Sequence, residues 1–127
     1  MALIDCEAIA NKYFSSVKSE LSKIERRPSV HLLLATENGD SISYAKSMAR
    51  KFSDIGIDAM LIGVESSADL EKRIDDVNNN SRITGGFVFY PTDFGNDHRF
   101  MKRLSPYKDI EGMSPENMDR LLHFEKT

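Results

Sequence analysis

Ile42, Ala45, Ala49 and Phe52 recur at intervals of three and four, the period of a helix with one apolar face. The pattern predicts a helix through 40–57, DSISYAKSMARKFSDIGI, capped by Asp40 or Ser41 and stopped at Gly56, where the chain must turn with positive φ. At about 100° per residue, Ser41, Tyr44 and Met48 fall together on the flank of that stripe. A tyrosine and a methionine one turn apart could wall a flat ligand, but periodicity alone favours a boundary tyrosine beside a core methionine. Ile9, Tyr13, Val17, Leu21 and Ile24 repeat the period and predict a helix over 5–25, with Asp5 as its cap and a break near Pro28. Leu70, Ile74 and Val77 predict another, capped by Ser66, with Asp69 near the positive end of its dipole. Asn78–Asn80 would end it, since Asn tolerates left-handed geometry.

Between these helices lie short apolar runs without helical period: SVHLLLAT over 29–36, DAMLIGV over 58–64 and GGFVFYP over 85–91. The first does not alternate, which predicts burial on both faces. Gly85–Gly86 opens the third run and is read as turn chemistry. Strands alternating with helices imply right-handed crossovers and a parallel sheet. The expected class is α/β, a three-layer α-β-α arrangement with a short parallel sheet of about three strands, residues 1–127 forming one domain. After the third run the pattern predicts a short helix at 97–104, a polar loop through 106–115 and a final helical turn or two at 116–123. Ligands of such sheets collect at the C-terminal strand ends. That selects the turn into Asp40–Tyr44, the turn after strand two and the segment Phe89–Tyr90–Pro91, with Lys108–Gly112 able to fold back over them.

Composition narrows the function. At 127 residues the chain suits one core, and 40% hydrophobic with 29% charged residues is ordinary for a globular protein. A net charge of −3 and the lack of a basic stripe argue against nucleic acid as a partner. No window approaches the roughly 18 apolar residues of a bilayer span, and the first residues lack the basic flank and apolar run of a secretory signal. No membrane partner is expected. Cys6 is the only cysteine, which excludes an internal disulfide and suits a cytoplasmic protein. His31, His98 and His123 show no ligand spacing, so no metal is expected. No strand leads into a Gly-rich phosphate fingerprint or a nucleophile elbow, and Asp75–Asp76 lies on a solvent face.

Three blocks carry a resemblance: SISYAKSMARKFSDIGI, then NNNSRITGGFVFYP, then LSPYKDIEGMSPENMDRL. In order and spacing they resemble the N-terminal catalytic domain of methylenetetrahydrofolate dehydrogenase/methenyltetrahydrofolate cyclohydrolase. The opening DCEAIA is similar to its start. The resemblance implies a reduced-folate site in this domain, with the nicotinamide cofactor held by a separate C-terminal Rossmann domain. It implies a Tyr-x-x-x-Lys motif in the first block, Val-Gln-Leu-Pro in the second and Lys-Asp-Val-Asp-Gly in the third. There the Tyr stacks near the aminobenzoyl ring, the Lys serves the chemistry tuned by the Gln, and the second Asp grips the pterin.

Position by position, Tyr44 matches the tyrosine, but Met48 stands where the lysine belongs. Phe89 replaces the glutamine, while Tyr90 and Pro91 continue the block. Lys108, Asp109 and Gly112 match, and Glu111 replaces the pterin-binding aspartate. The substrate-binding set is therefore Tyr44, Met48, Phe89, Tyr90, Pro91, Glu111 and Gly112, with Tyr44, Met48 and Glu111 bordering one hollow, and no catalytic residue is assigned. A thioether cannot exchange protons as a lysine does. Lys46 points about 160° away from Met48, and Lys51 lies about 4.5 Å further from the rim. The expectation is a folate-domain homologue of one-carbon metabolism with a degenerate site, impaired or inactive alone, or else a non-catalytic binding or interaction module that kept the fold. NAD(P) is expected only with a dinucleotide domain, which these residues lack. The family is commonly dimeric through that other domain, and helices left unpacked would favour a weak homodimer.

Overall fold

The structure is a computed structural model and describes residues 5–123. In order come α1 (Cys6–Leu21), β1 (Ser29–Leu34), α2 (Gly39–Asp54), β2 (Asp58–Gly63), α3 (Ser67–Asn79), β3 (Gly85–Val88), α4 (His98–Arg103) and α5 (Pro115–Leu122). The sheet has the order β2-β1-β3, with β1 paired in parallel to both neighbours. Val30 and Leu32 of β1 meet Ala45 of α2 and Phe89, with Met48, Ala49 and Phe52 half-buried against them. Leu33 and Ala35 belong to the opposite layer, with Leu70, Ile74 and Val77 of α3 and Phe100 of α4. Both faces of β1 are covered, which is why its run shows no polar alternation. The α/β three-layer class expected from the pattern is the class observed.

Several boundaries shift for local reasons. The regular strands end before the apolar runs do, at Leu34, Gly63 and Val88. Single rungs continue the ladder, with the N–H groups of Val64 and Phe89 donating to Leu34 and Leu33 carbonyls at 2.9 and 3.1 Å. The cap of α2 is Asn38, whose side-chain oxygen accepts from the Asp40 and Ser41 N–H groups at 3.0 and 3.2 Å. Asp40 sits inside the first turn. Gly56 does take positive φ, at 96°. Helix α1 stops at Leu21, so Ile24 lies beyond it. Its stripe is not packed: Ile9, Tyr13 and Val17 are 48%, 69% and 40% exposed.

Ser66 caps α3 as expected, but Asn80 is extended rather than left-handed. Asn78 has a tertiary partner instead. Its side-chain oxygen accepts from Ser105 N–H at 2.7 Å, and its amide donates to the Arg103 carbonyl at 2.8 Å. Asp75, read as a solvated carboxylate, receives two hydrogen bonds from Arg103 at 2.8 and 2.7 Å. Those bonds hold its carboxyl below the usual range. Together they fasten the end of α4 to α3 and set where the chain leaves for the site.

Beyond Ser105 the chain runs along the free edge of β3. Gly86 N–H donates to the Lys108 carbonyl at 2.7 Å, and Gly86 forms a parallel bridge with Asp109. The Lys108 ammonium donates to the carbonyls of Asn80 and Ile83. Gly85 and Gly86 are thus strand residues rather than turn residues, Gly85 leaving room for the second backbone and Gly86 for the Val77 side chain. A Cβ on Gly85 would overlap Ile110 Cγ2 and stand 3.1 Å from the Lys108 carbonyl oxygen. Gly85→Ala should therefore destabilise the protein by about 1–3 kcal/mol. In an Ile110→Ala background the cost should be clearly smaller. Urea unfolding midpoints of the four variants test this, and equal costs in both backgrounds would refute it.

Candidate functional site

Because all strands run one way, their C-terminal ends share a rim. The first turn of α2, the exit of β3 and the segment through 113 enclose a cleft of about 480 Å³ there. Its aromatic side comes from Phe87 and Phe89, two residues apart and hence on one face of the strand direction. Their ring centres lie 4.8 Å apart. Tyr44 meets Phe89 edge to face, at 5.9 Å and 84°. Phe89 is buried while Tyr44 is 58% exposed, so the tyrosine ring keeps area free for a ligand. Asp40, Ser41, Tyr90, Glu111 and Met113 complete the lining.

The cleft is acidic, and among the described residues no lysine, arginine or histidine lines it. Partial burial pushes the Glu111 carboxyl above its ordinary range, and the negative charge of Asp109 adds to this. Burial also raises the Tyr90 phenol, with Asp97, Glu111 and Asp109 contributing charge in the same direction. Tyr90 therefore stays an O–H donor through neutral pH. Such a cavity can sandwich a planar ring and accept hydrogen bonds from its N–H groups. It supplies no cation to polarise a carbon–nitrogen bond.

The structure thus brings Tyr44, Phe89, Tyr90 and Glu111 together. Met48 is elsewhere. It lines an adjoining hollow of about 250 Å³ with Phe14, Tyr44, Ser47, Lys51 and Phe52. The single hollow expected for Tyr44, Met48 and Glu111 is divided in two, with Tyr44 common to both. Four residues advance a helix by about 6 Å, which takes Met48 below the strand ends. Pro91 is exposed and Gly112 half-buried, and neither lines the cleft. The Tyr90–Pro91 peptide is cis, and Gly112 has φ of 76°. Sequence reading missed Phe87 and Met113 and took Asp40 for a cap. Alternation backward from Phe89 was the signal for Phe87; Met113 carried none.

The turn after β1 is occupied by the protein's own groups. Asp93 accepts from the Thr36 hydroxyl at 2.7 Å and from Glu37 N–H at 2.9 Å. Asn38 caps α2, and the Asp40 carboxylate stands in its first turn. A dinucleotide pyrophosphate needs free N–H groups and no competing anion at such a turn. These residues do not fit a nicotinamide cofactor. Among the described residues, no helix is long and apolar enough to cross a membrane and no cluster of three or more His, Cys, Asp or Glu could hold a metal.

Residues 4–111 match the family model described as tetrahydrofolate dehydrogenase/cyclohydrolase, catalytic domain. The chain is 35% identical over 122 residues to the methylenetetrahydrofolate dehydrogenase [NAD(+)] of Dictyostelium discoideum, covering 94% of this chain and 38% of that protein. It is 29% identical over 127 residues to the bifunctional protein FolD of Rickettsia akari, covering 94% and 43%. A solved 5,10-methylenetetrahydrofolate dehydrogenase from the silkworm Bombyx mori superposes with a TM-score of 0.91 at 25% identity, covering 100% and 47%. The chain therefore spans less than half the length of these relatives.

The raised carboxyl of Glu111 has a stability consequence. A carboxyl whose folded pKa lies above its unfolded value favours the fold while protonated, and that contribution is lost as pH rises through the folded pKa. Glu111→Gln should thus unfold at a higher denaturant concentration than the parent at pH 7. The difference should shrink to nothing below about pH 4, under the ordinary glutamate value. Unfolding curves over pH 3–8 read this, and a neutral-pH midpoint unchanged or lowered by the substitution would contradict it.

Proposed function

The chain belongs to the tetrahydrofolate dehydrogenase/cyclohydrolase family, as its catalytic domain, and on that premise we propose that the cleft binds a reduced folate but has lost the family's proton-transfer chemistry. The observation that carries this is the convergence of Tyr44, Phe89, Tyr90 and Glu111 on one cleft, while Met48, at the position of the family lysine, packs into the apolar cluster of Phe89. Tyr44 and Phe89 offer ring surface to the ligand's planar parts. The Glu111 carboxylate accepts from ring N–H donors, and the Tyr90 hydroxyl donates. Pro91 and Gly112 shape the segments carrying Tyr90 and Glu111 without touching the ligand.

Cyclohydrolysis of a methenyl-bearing folate needs a proton moved beside a carbon–nitrogen double bond. Loss of a general acid/base typically costs about 10²–10⁴ in rate. Met48 moves no proton, and the phenol of Tyr90 is held protonated. Hydride transfer requires NAD(P), which supplies the hydride acceptor when bound, and these residues do not hold it. We therefore read the chain as one domain that is impaired in cyclohydrolysis and without dehydrogenase activity alone. A cytoplasmic setting belongs to the same reading, supported by a free, exposed Cys6. The unpacked stripe of α1 supports weak self-association as a homodimer.

A second reading, a binding or interaction module without catalysis, is favoured by that same apolar packing of Met48 beside Phe89. Titration calorimetry with a reduced folate at neutral pH should give saturable heat. Glu111→Gln should weaken the binding about ten- to a hundredfold, the worth of a hydrogen bond to a charged group. No heat and no thermal stabilisation at millimolar folate would exclude the folate reading. The double change Met48→Lys, Phe89→Gln separates the two readings: recovered hydrolysis of methenyltetrahydrofolate marks a disarmed folate site, and inertness favours the interaction module. Sedimentation should show a concentration-dependent shift towards dimer, and a strict monomer at high concentration would count against self-association.

A further inference from the structure

We propose that Asp109 is a positioning residue of the cleft: its two carboxylate oxygens fix the turn and the start of α5 so that Glu111 faces the ligand. The proposal rests on reading Glu111 as the group that grips the ligand. One oxygen of Asp109 accepts from the N–H groups of Glu111 and Gly112 at 3.3 and 3.0 Å. The other accepts from Ser114 N–H at 2.7 Å and from the Asn117 amide at 3.2 Å. The Asp109 backbone is itself bridged to Gly86 at the sheet edge. One side chain therefore links the sheet, the turn that carries Glu111 and helix α5.

The far side of this link is rigid. Asn117 is fully buried, its amide also donates to the Pro106 carbonyl at 3.0 Å, and Arg120 donates to its oxygen at 3.2 Å. Ser114 caps α5 by accepting from Asn117 N–H. Glu111, by contrast, is shifted by burial and by the charge of Asp109, with no hydrogen bond contributing. Its carboxylate is placed by its backbone, and its backbone by Asp109.

Four donors converge on the two acceptor oxygens of one carboxyl group. Asparagine would turn an NH₂ towards one donor pair, and glutamate would overreach by a methylene. The Glu111 carboxyl feels the charge of Asp109 from its own turn, it shares the cleft with Asp40 from α2 and Tyr90 after β3, and among the described residues no cation lines that cleft. Removing the Asp109 charge should therefore let Glu111 ionise at lower pH, an effect a merely structural residue would not have.

The test uses the full chain, with the carbon NMR signal of the Glu111 carboxyl followed against pH without ligand, and tetrahydrofolate titrated by calorimetry at several pH values. In Asp109→Asn the Glu111 midpoint should move to lower pH, and affinity at pH 7 should fall by about tenfold or more. An unmoved midpoint with affinity within twofold of the parent would overturn the proposal. If Asp109→Asn does not fold, the parent chain decides. Its Gly112 and Ser114 amides should exchange with deuterium far more slowly than unstructured amides, and unprotected amides would overturn the proposal. Failure of the parent to bind folate would remove the ligand reading alone, because the carboxyl titration and amide exchange report on Asp109 without ligand.

Discussion

Parallel pairing of β1 with both its neighbours is the constraint on which the molecule depends. Leu32 stands level with Leu61 on one side and Phe87 on the other. With all three strands pointing one way, the turn into α2 and the exit of β3 open on the same rim. The two apolar layers follow from the same arrangement. A central strand covered on both faces must be apolar throughout, and β1 carries Val30, Leu32 and Leu33 into separate clusters.

The second constraint is the edge of β3. An open edge exposes a row of backbone donors and acceptors. Here Lys108–Ile110 satisfies part of that row, and the absence of a side chain at Gly85 lets it come close enough. The consequence is chemical as well as structural. The same approach carries Glu111 to the cleft, whose lining it shares with Tyr44, Phe87 and Phe89. Asn78 and Asp75, both on α3, hold the preceding residues and so set where this segment begins.

The chemistry of the site is defined as much by what surrounds Tyr44 as by Tyr44 itself. On one side it meets an acidic, aromatic cleft, and on the other an apolar hollow floored by Met48 and Phe52. A lysine at position 48 would need its charge solvated or paired next to Phe89, whereas methionine fills such a place without either. The pairing of Met48 with Phe89 is thus physically coherent: the two apolar residues pack where a polar couple would bond. The aromatic and acidic groups therefore gather on one side of Tyr44, and the thioether of Met48 lies on the other.

Local periodicity alone determined the helices, the strand runs and their order, because spacings of three and four, or short apolar runs, act within a few residues. From that order followed the parallel sheet and its ligand-binding rim, and the three motif blocks led to the family. The places of Tyr44, Phe89, Tyr90 and Glu111 on one cleft were legible in the same way. Tertiary structure alone decided that Met48 falls into a neighbouring hollow, that Gly85–Gly86 receives a second backbone, and that Asn78 and Asp109 anchor distant segments. Each of these depends on register and on approach between residues far apart in the chain, such as 86 with 109 or 78 with 105, and no local pattern encodes such distances. The exposed stripe of α1 shows the same limit: its period predicted a helix, but only the packing shows that nothing described here covers it.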